Sequence, residues 1–214
     1  GRNNTTGNYN TFLGYQSGYT SNSSYNTFLG YQAGYLSTAN YNSFVGYQAG
    51  KSNTTGTNNV FLGYQTGYSN QTGANNVAVG NVAGYLSIAG TSNVFIGDSS
   101  GYGNTSNYNV FLGKGSGKAN TGQYNAFLGY QAGLKNTSGT NNVFIGYQTG
   151  FYNTTGGYNT FLGYQAGLNN NTSYNSFIGY QAGKANTTGQ FNSFIGYNAG
   201  LSNTTGATNV FIGN

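Results

Sequence analysis

The chain has 214 residues, a formal net charge of +5 and only 3% charged side chains, against roughly a quarter in an ordinary soluble domain. It contains no Cys, His, Trp, Met or Pro; its one acid is Asp98 and its bases are Arg2, Lys51, Lys114, Lys118, Lys135 and Lys184. This inventory excludes a carboxylate pair for glycoside cleavage, a zinc site, a Cys nucleophile or Ser–His pair and a calcium loop.

A non-enzyme with no catalytic residue, cofactor or metal is therefore expected. The bases are scattered, whereas nucleic-acid binders gather theirs into patches, so no nucleic-acid partner is expected. No apolar run approaches the ~20 residues of a membrane span.

The chain is a tandem repeat. Counted from an Asn as position 1, the copies begin at Asn10, Asn26, Asn42, Asn59, Asn76, Asn93, Asn109, Asn125, Asn142, Asn159, Asn175, Asn192 and Asn209, spaced by 16 or 17 residues. The nine residues N-T-F-L-G-Y-Q-A-G at 26–34 recur unchanged at 159–167. Position 3 is Phe except at Ala78, position 4 is Leu, Ile or Val, position 5 is Gly throughout, and position 9 is Gly in every complete copy. The one-residue length variation falls between position 12 and the next Asn.

Ahead of Asn10, Gly1 and Arg2 occupy positions 9 and 10 of the same frame; the last copy stops at Asn214, position 6. Residues 1–214 thus read as a single repeat tract of about 13 coils, cut mid-repeat at both ends, and we expect a longer natural fibre around it. Seventeen residues punctuated by two glycines leave no room for a helix pair. The run N-[TSV]-F-[LI]-G predicts a short strand, and Y-Q-A a second one. The fold class expected is all-β: a parallel β-solenoid, or β-roll, with one coil per repeat. Like residues then stack on like, giving ladders of Asn, Phe, Gln and Tyr. Fixed phasing argues against a disordered, prion-like tract: 21 of the 22 Tyr fall at position 6, at position 10 or just before an Asn, and only Tyr152 lies elsewhere.

Adjacent strand residues point to opposite faces, so Phe at position 3 and the aliphatic residue at position 4 cannot both fill one thin coil. The outward row needs a cover. Identical chains are the simplest one, which predicts a homotrimer; the alternative is a monomeric solenoid wide enough to bury both rows.

The phrase N-[TSV]-F-[LI]-G-Y-Q-[AT]-G followed by S-N-T-T-G, as at 59–73 and 192–206, resembles the repeats of phage and bacterial tail-fibre-domain proteins, many of which end in an endosialidase-type intramolecular chaperone. The motif N-[SV]-x-[AI]-[IL]-G also resembles the β-roll heads of trimeric autotransporter adhesins, from which it departs by a longer coil and by its Phe and Tyr ladders. The resemblance implies a left-handed, trimeric, extracellular fibre on a virion or cell surface. Neither the chaperone activity nor membrane anchoring is expected of residues 1–214.

Four features are candidates for recognition or modification. The edge formed by Tyr147, Gln148, Tyr164 and Gln165 is a candidate contact for cell-surface glycans. Position 12 supplies Asn-x-Ser/Thr sequons at Asn4, Asn53, Asn70, Asn104, Asn136, Asn153, Asn170, Asn186 and Asn203, expected on an outer turn and open to glycosylation. Asp98 and Lys114 share a phase in successive coils and could form an inter-coil ion pair. Ice binding is a lesser alternative, since Thr55-Gly-Thr57 is the sole Thr-x-Thr.

Overall fold

A computed structural model describes residues 1–214 as two compact units, Gly1–Tyr108 and Asn109–Asn214. The first contains β1 (Thr11–Leu13), β2 (Thr27–Leu29), β3 (Ser43–Val45), β4 (Val60–Leu62), β5 (Val77–Val79) and β6 (Val94–Ile96). The second contains β7 (Val110–Leu112), β8 (Ala126–Leu128), β9 (Val143–Ile145), β10 (Thr160–Leu162), β11 (Ser176–Ile178), β12 (Ser193–Ile195) and β13 (Val210–Ile212). Each unit is a parallel β-solenoid without helix. Within a unit every strand pairs with the next at a register of one repeat: Phe28 with Phe44 and Phe44 with Phe61 in the first, Phe144 with Phe161 and Phe161 with Phe177 in the second.

The strand is three residues long for a local reason. Thr, Ser or Val, then Phe, then Leu, Ile or Val favour extended backbone. The Gly at position 5 ends it with φ near +130°, as at Gly163 (φ 137). A Cβ on Gly163 would stand 2.2 Å from the carbonyl oxygen of Gly179 in the next coil, so the stack itself demands glycine there. Gly at position 9 does a different job. A Cβ on Gly167 would lie 2.5 Å from Cε2 of Phe161; its bare backbone forms the floor on which the ring rests.

Y-Q-A is not a second strand. The structure turns it into a tight corner because Gln at position 7 is left-handed, φ 53 at Gln165. A second left-handed residue precedes each Asn, as at Tyr158 (φ 57) and Tyr174 (φ 64). Such a conformation costs about 1–2 kcal/mol for a residue with a Cβ. The corners nonetheless keep their coil-to-coil backbone bonds, with Gln165 N donating to Tyr147 O at 2.9 Å and Gln181 N to Tyr164 O at 2.8 Å. Regular ladders thus continue through backbone that is not strand.

The interior is a column of aromatic rings. Phe127, Phe144, Phe161, Phe177 and Phe194 are fully buried, with centroids 4.7–4.9 Å apart and ring planes within 6° of parallel. That spacing is the strand-to-strand distance of a sheet. Ala166, Ala182 and their counterparts at position 8 are buried beside it. At Ala78 the column is interrupted and a small cavity opens, lined by Phe61, Ala78, Phe95, Asn70 and Ser87 among others.

Two columns of buried Asn flank the rings. At position 1 the backbone N–H of Asn159 donates to Asn142 Oδ1 (3.0 Å), that of Asn175 to Asn159 Oδ1 (2.9 Å) and that of Asn192 to Asn175 Oδ1 (3.0 Å). The same amides donate onward through Nδ2, Asn142 to Gly156 O at 2.8 Å and Asn175 to Gly189 O at 2.9 Å. Each amide is therefore fastened twice to the coil after it, while the backbone N–H of the same Asn bonds the coil before.

The 16- and 17-residue coils share one fold through a substitution of oxygens. In a longer coil, main-chain Gln71 O accepts from the N–H groups of Thr54, Thr55 and Gly56. In a shorter coil an Asn side chain takes over: Asn22 Oδ1 accepts from Thr5 and Thr6, and Asn171 Oδ1 from Thr154 and Thr155.

Two consequences are measurable. Phe161→Ala removes a ring from the column and should cost about 3–5 kcal/mol, whereas Leu162→Ala, one residue along and outward, should cost about 1 kcal/mol or less; chemical denaturation of both variants checks the facing. Asn159→Asp removes the Nδ2 donor and buries a carboxyl, whose charged form burial disfavours. The folded carboxyl therefore holds its proton above the unfolded pKa, so this variant should lose least stability in acid and progressively more as pH rises towards neutrality, the reverse of an ion-paired Asp.

Candidate functional site

With rings and Asn amides inside, each coil presents outward the residue before the Asn, then positions 2, 4 and 6. The aliphatic row is the exposed one: Leu62, Ile96, Ile145, Leu162 and Ile195 each keep 37–46% of their surface open. Val60, Val110 and Val143 at position 2 are similarly open. The opposition between positions 3 and 4 expected from strand geometry is thus observed, with Phe inward. Of the charged residues only Asp98 and Lys114 lie in these outward rows.

Tyr147, Gln148, Tyr164 and Gln165 are brought together. Tyr147 and Tyr164 stack at 5.1 Å with planes 6° apart, within a ladder running from Tyr130 through Tyr180 to Tyr197. Gln148 Nε2 donates to Gln131 Oε1 at 2.9 Å, and Gln165 Nε2 to Gln148 Oε1 at 3.1 Å. Stacking along the ladder covers the ring faces with neighbouring rings. What solvent meets is ring edge and hydroxyl, so the broad faces that a sugar ring would lie against are already occupied, and the Gln amides are already paired.

The sequons are not where an outer turn would put them. Asn53, Asn70, Asn104, Asn136, Asn153, Asn170 and Asn186 are buried to 1% exposure or less. Their Nδ2 atoms, where a glycan would attach, donate inward: Asn153 to Gly156 O (2.8 Å), Asn186 to Asn170 Oδ1 (2.7 Å), Asn70 to Asn53 Oδ1 (2.8 Å). Asn4 and Asn203, half-buried, make the corresponding bonds to Gly7 O and Gly206 O. The sequence pattern marked a turn correctly, but the amide closes that turn from inside. In the folded coil the seven buried Asn are enclosed, which opposes their modification there; glycosylation stays an expectation from the sequence.

Asp98 lies in the first unit, where its Oδ1 accepts from Asn81 Nδ2 (3.1 Å) and Ser99 Oγ (3.0 Å). Lys114 belongs to the second unit, and their pairing stays an expectation. Thr55 and Thr57 sit in the Gly-rich turn rather than on a flat strand face. No helix is long and apolar enough to cross a membrane.

Cations on aromatic rings escaped the sequence reading. Lys51 Nζ lies 5.4 Å from the centroid of Tyr68, and Lys135 Nζ lies 4.5 Å from that of Tyr152. Lys51 holds position 10 directly before Tyr68 in the next coil, where a cation caps the end of the Tyr68–Tyr85–Tyr102 stack. The one off-phase tyrosine, Tyr152, packs edge-on to Phe151 at 4.7 Å and beneath Lys135. The signal was present as Lys and Tyr at equal phase in successive coils.

No family model, curated protein or solved structure matches the chain. The geometry therefore carries the functional argument alone.

One electrostatic effect follows from stacking phenols. Burial first, and then the charges on Tyr68, Tyr102 and Tyr64, hold the Tyr85 hydroxyl above its ordinary pKa. A raised folded pKa means that the folded chain keeps this proton longer than the unfolded one. Its contribution is full below the unfolded value and is lost as pH rises through the folded one. Melting temperature should therefore fall as pH is taken above about 10, and Tyr85→Phe should make that fall shallower.

Proposed function

We propose that the chain is the structural repeat region of an extracellular fibre, a left-handed β-solenoid assembled as a homotrimer on a virion or cell surface, and not an enzyme. The observation that carries this reading is where the polar groups point. Buried amides at positions 1 and 12 and amides at position 7 bond the neighbouring coil, so each coil's side-chain hydrogen bonding goes into holding the stack. What the repeat offers outward is aliphatic rows, aromatic edges and the uncharged Thr, Asn and Gln side chains of the turn, with few charges. A stiff element of variable repeat number is the use that fits, in a phage tail fibre or in a surface adhesin or filament.

The trimeric part rests on the open aliphatic row. Periodic exposed Leu, Ile and Val are unfavourable in water, and a second copy of the chain offers the same spacing row for row. A glycan-binding surface would have to use ring edges, and an ice-binding one would need a flat Thr array, so both stand behind the structural reading.

Sedimentation of the purified chain tests it. Three copies per particle are expected, and a monomer at all concentrations overturns the trimer. Digestion with chymotrypsin tests the structural role separately. With 22 Tyr and 14 Phe an unfolded or loosely held chain would be cleaved throughout, whereas the stacked coils should survive; rapid cleavage under native conditions opposes the reading.

A further inference from the structure

The composition leaves an oxidant in solution one destination. Cys, Met, Trp and His are all absent, including the sulfur side chains that usually yield electrons first. Tyrosine is the remaining readily oxidised side chain, and it is abundant. It is also paired. Tyr15, Tyr31, Tyr47 and Tyr64 stack in succession at 5.1–5.4 Å in the first unit. The second unit holds the longer ladder through Tyr147 and Tyr164 at 5.0–5.2 Å, with planes within 9° of parallel. Tyr147 and Tyr164 keep 41% and 42% of their surface open, so an oxidant in solvent reaches their edges. The backbone beneath is pinned: Gly163 N donates to Ile145 O and Gln165 N to Tyr147 O, both at 2.9 Å. Two phenols held in this way meet far more often than two in free solution.

We propose that the outward tyrosine ladders are a modification site, at which one-electron oxidation by a peroxidase-class enzyme with hydrogen peroxide couples tyrosines of adjacent coils into dityrosine. Each phenol gives up one electron and its hydroxyl proton, leaving a neutral phenoxyl radical. Two such radicals join through a carbon–carbon bond between the ring carbons ortho to oxygen. Each of those carbons then releases its hydrogen as a proton, the phenolic oxygens regain protons, and both rings return to aromaticity. In sum two tyrosines lose two hydrogens, and one hydrogen peroxide is reduced to two waters. The rings must tilt out of the stack to bond, which their solvent-facing edges permit. Every link closes a loop of one repeat, so the product is the same solenoid covalently stapled from coil to coil. The proposal holds for one copy of the chain and does not depend on the assembly proposed above.

Tyr152 supplies an internal control, because its ring neighbours are Phe151 and Lys135 rather than another phenol. The full chain, dilute and folded, is treated with a plant-type peroxidase and hydrogen peroxide, then digested and analysed by mass spectrometry. The expected products are intrachain pairs of peptides whose tyrosines lie one repeat apart, each pair two hydrogens lighter, with dityrosine fluorescence and a raised melting temperature. The peptide containing Tyr152 should be unlinked. Tyr147→Phe combined with Tyr180→Phe preserves the ring stack but isolates Tyr164 from its row partners; links to Tyr164 should vanish while those among Tyr15, Tyr31, Tyr47 and Tyr64 persist. Links formed only between chains, linking of Tyr152 as readily as of ladder tyrosines, or consumption of peroxide with no dityrosine would each overturn the proposal.

Discussion

Everything in this structure depends on one amide being able to do two things at once. The Asn at position 1 accepts a backbone N–H from the coil after it and donates Nδ2 to a carbonyl in the turn that leads into that coil, as Asn175 does with Asn192 N and Gly189 O. Asn is the side chain that carries both an acceptor and a donor on a stem this short. Asp would lose the donor and Ser the reach. The bond runs along the stacking direction and its partners are backbone groups of the next coil, so each coil needs its own Asn to hold the coil after it, and the requirement repeats from coil to coil. The Phe column, the Gly floor and the fixed phase of every other residue follow from that repetition.

The left-handed backbone at the corners fits the same logic. A Gln at φ near +53° is costly alone, yet its corner supplies both a backbone bond and a side-chain amide bond to the coil beside it. A net hydrogen bond contributes about 1 kcal/mol, comparable to the conformational cost. An isolated coil would have neither bond to offset that cost, which is why a unit of this kind is stable only in company.

Much of this was legible before any coordinates. The 16–17-residue period, the strand at N-x-F-[LI]-G, the opposed facing of positions 3 and 4 and the same-phase stacking of Phe, Gln and Tyr all follow from spacing and strand alternation. Two readings failed, both at corners. Y-Q-A has the alternation of a strand, but Gly on both sides lets the chain double back, and no propensity rule assigns Gln to the left-handed region. The Asn of N-T-T-G suits an outward turn residue by composition; it is inward because the tight turn carries a carbonyl such as Gly156 O inside, where the Asn153 amide meets it together with that of Asn142. Ring edges as opposed to ring faces could not be read at all, since the tilt of a side chain is set by its stacking neighbours. The lysines over Tyr68 and Tyr152 are legible in the sequence, as Lys and Tyr at equal phase in successive coils.

The exchange of Gln71 O for Asn22 or Asn171 Oδ1 has an evolutionary consequence. A side-chain amide standing in for a peptide group makes one turn of the coil indifferent to a lost residue, while the strand, with its fixed register, tolerates none. Replication slippage at the level of whole repeats would then change only how many coils a gene encodes, and a single-codon loss would be forgiven where an Asn stands ready in that turn. The protein's length becomes a trait that can drift or be selected without redesigning its core.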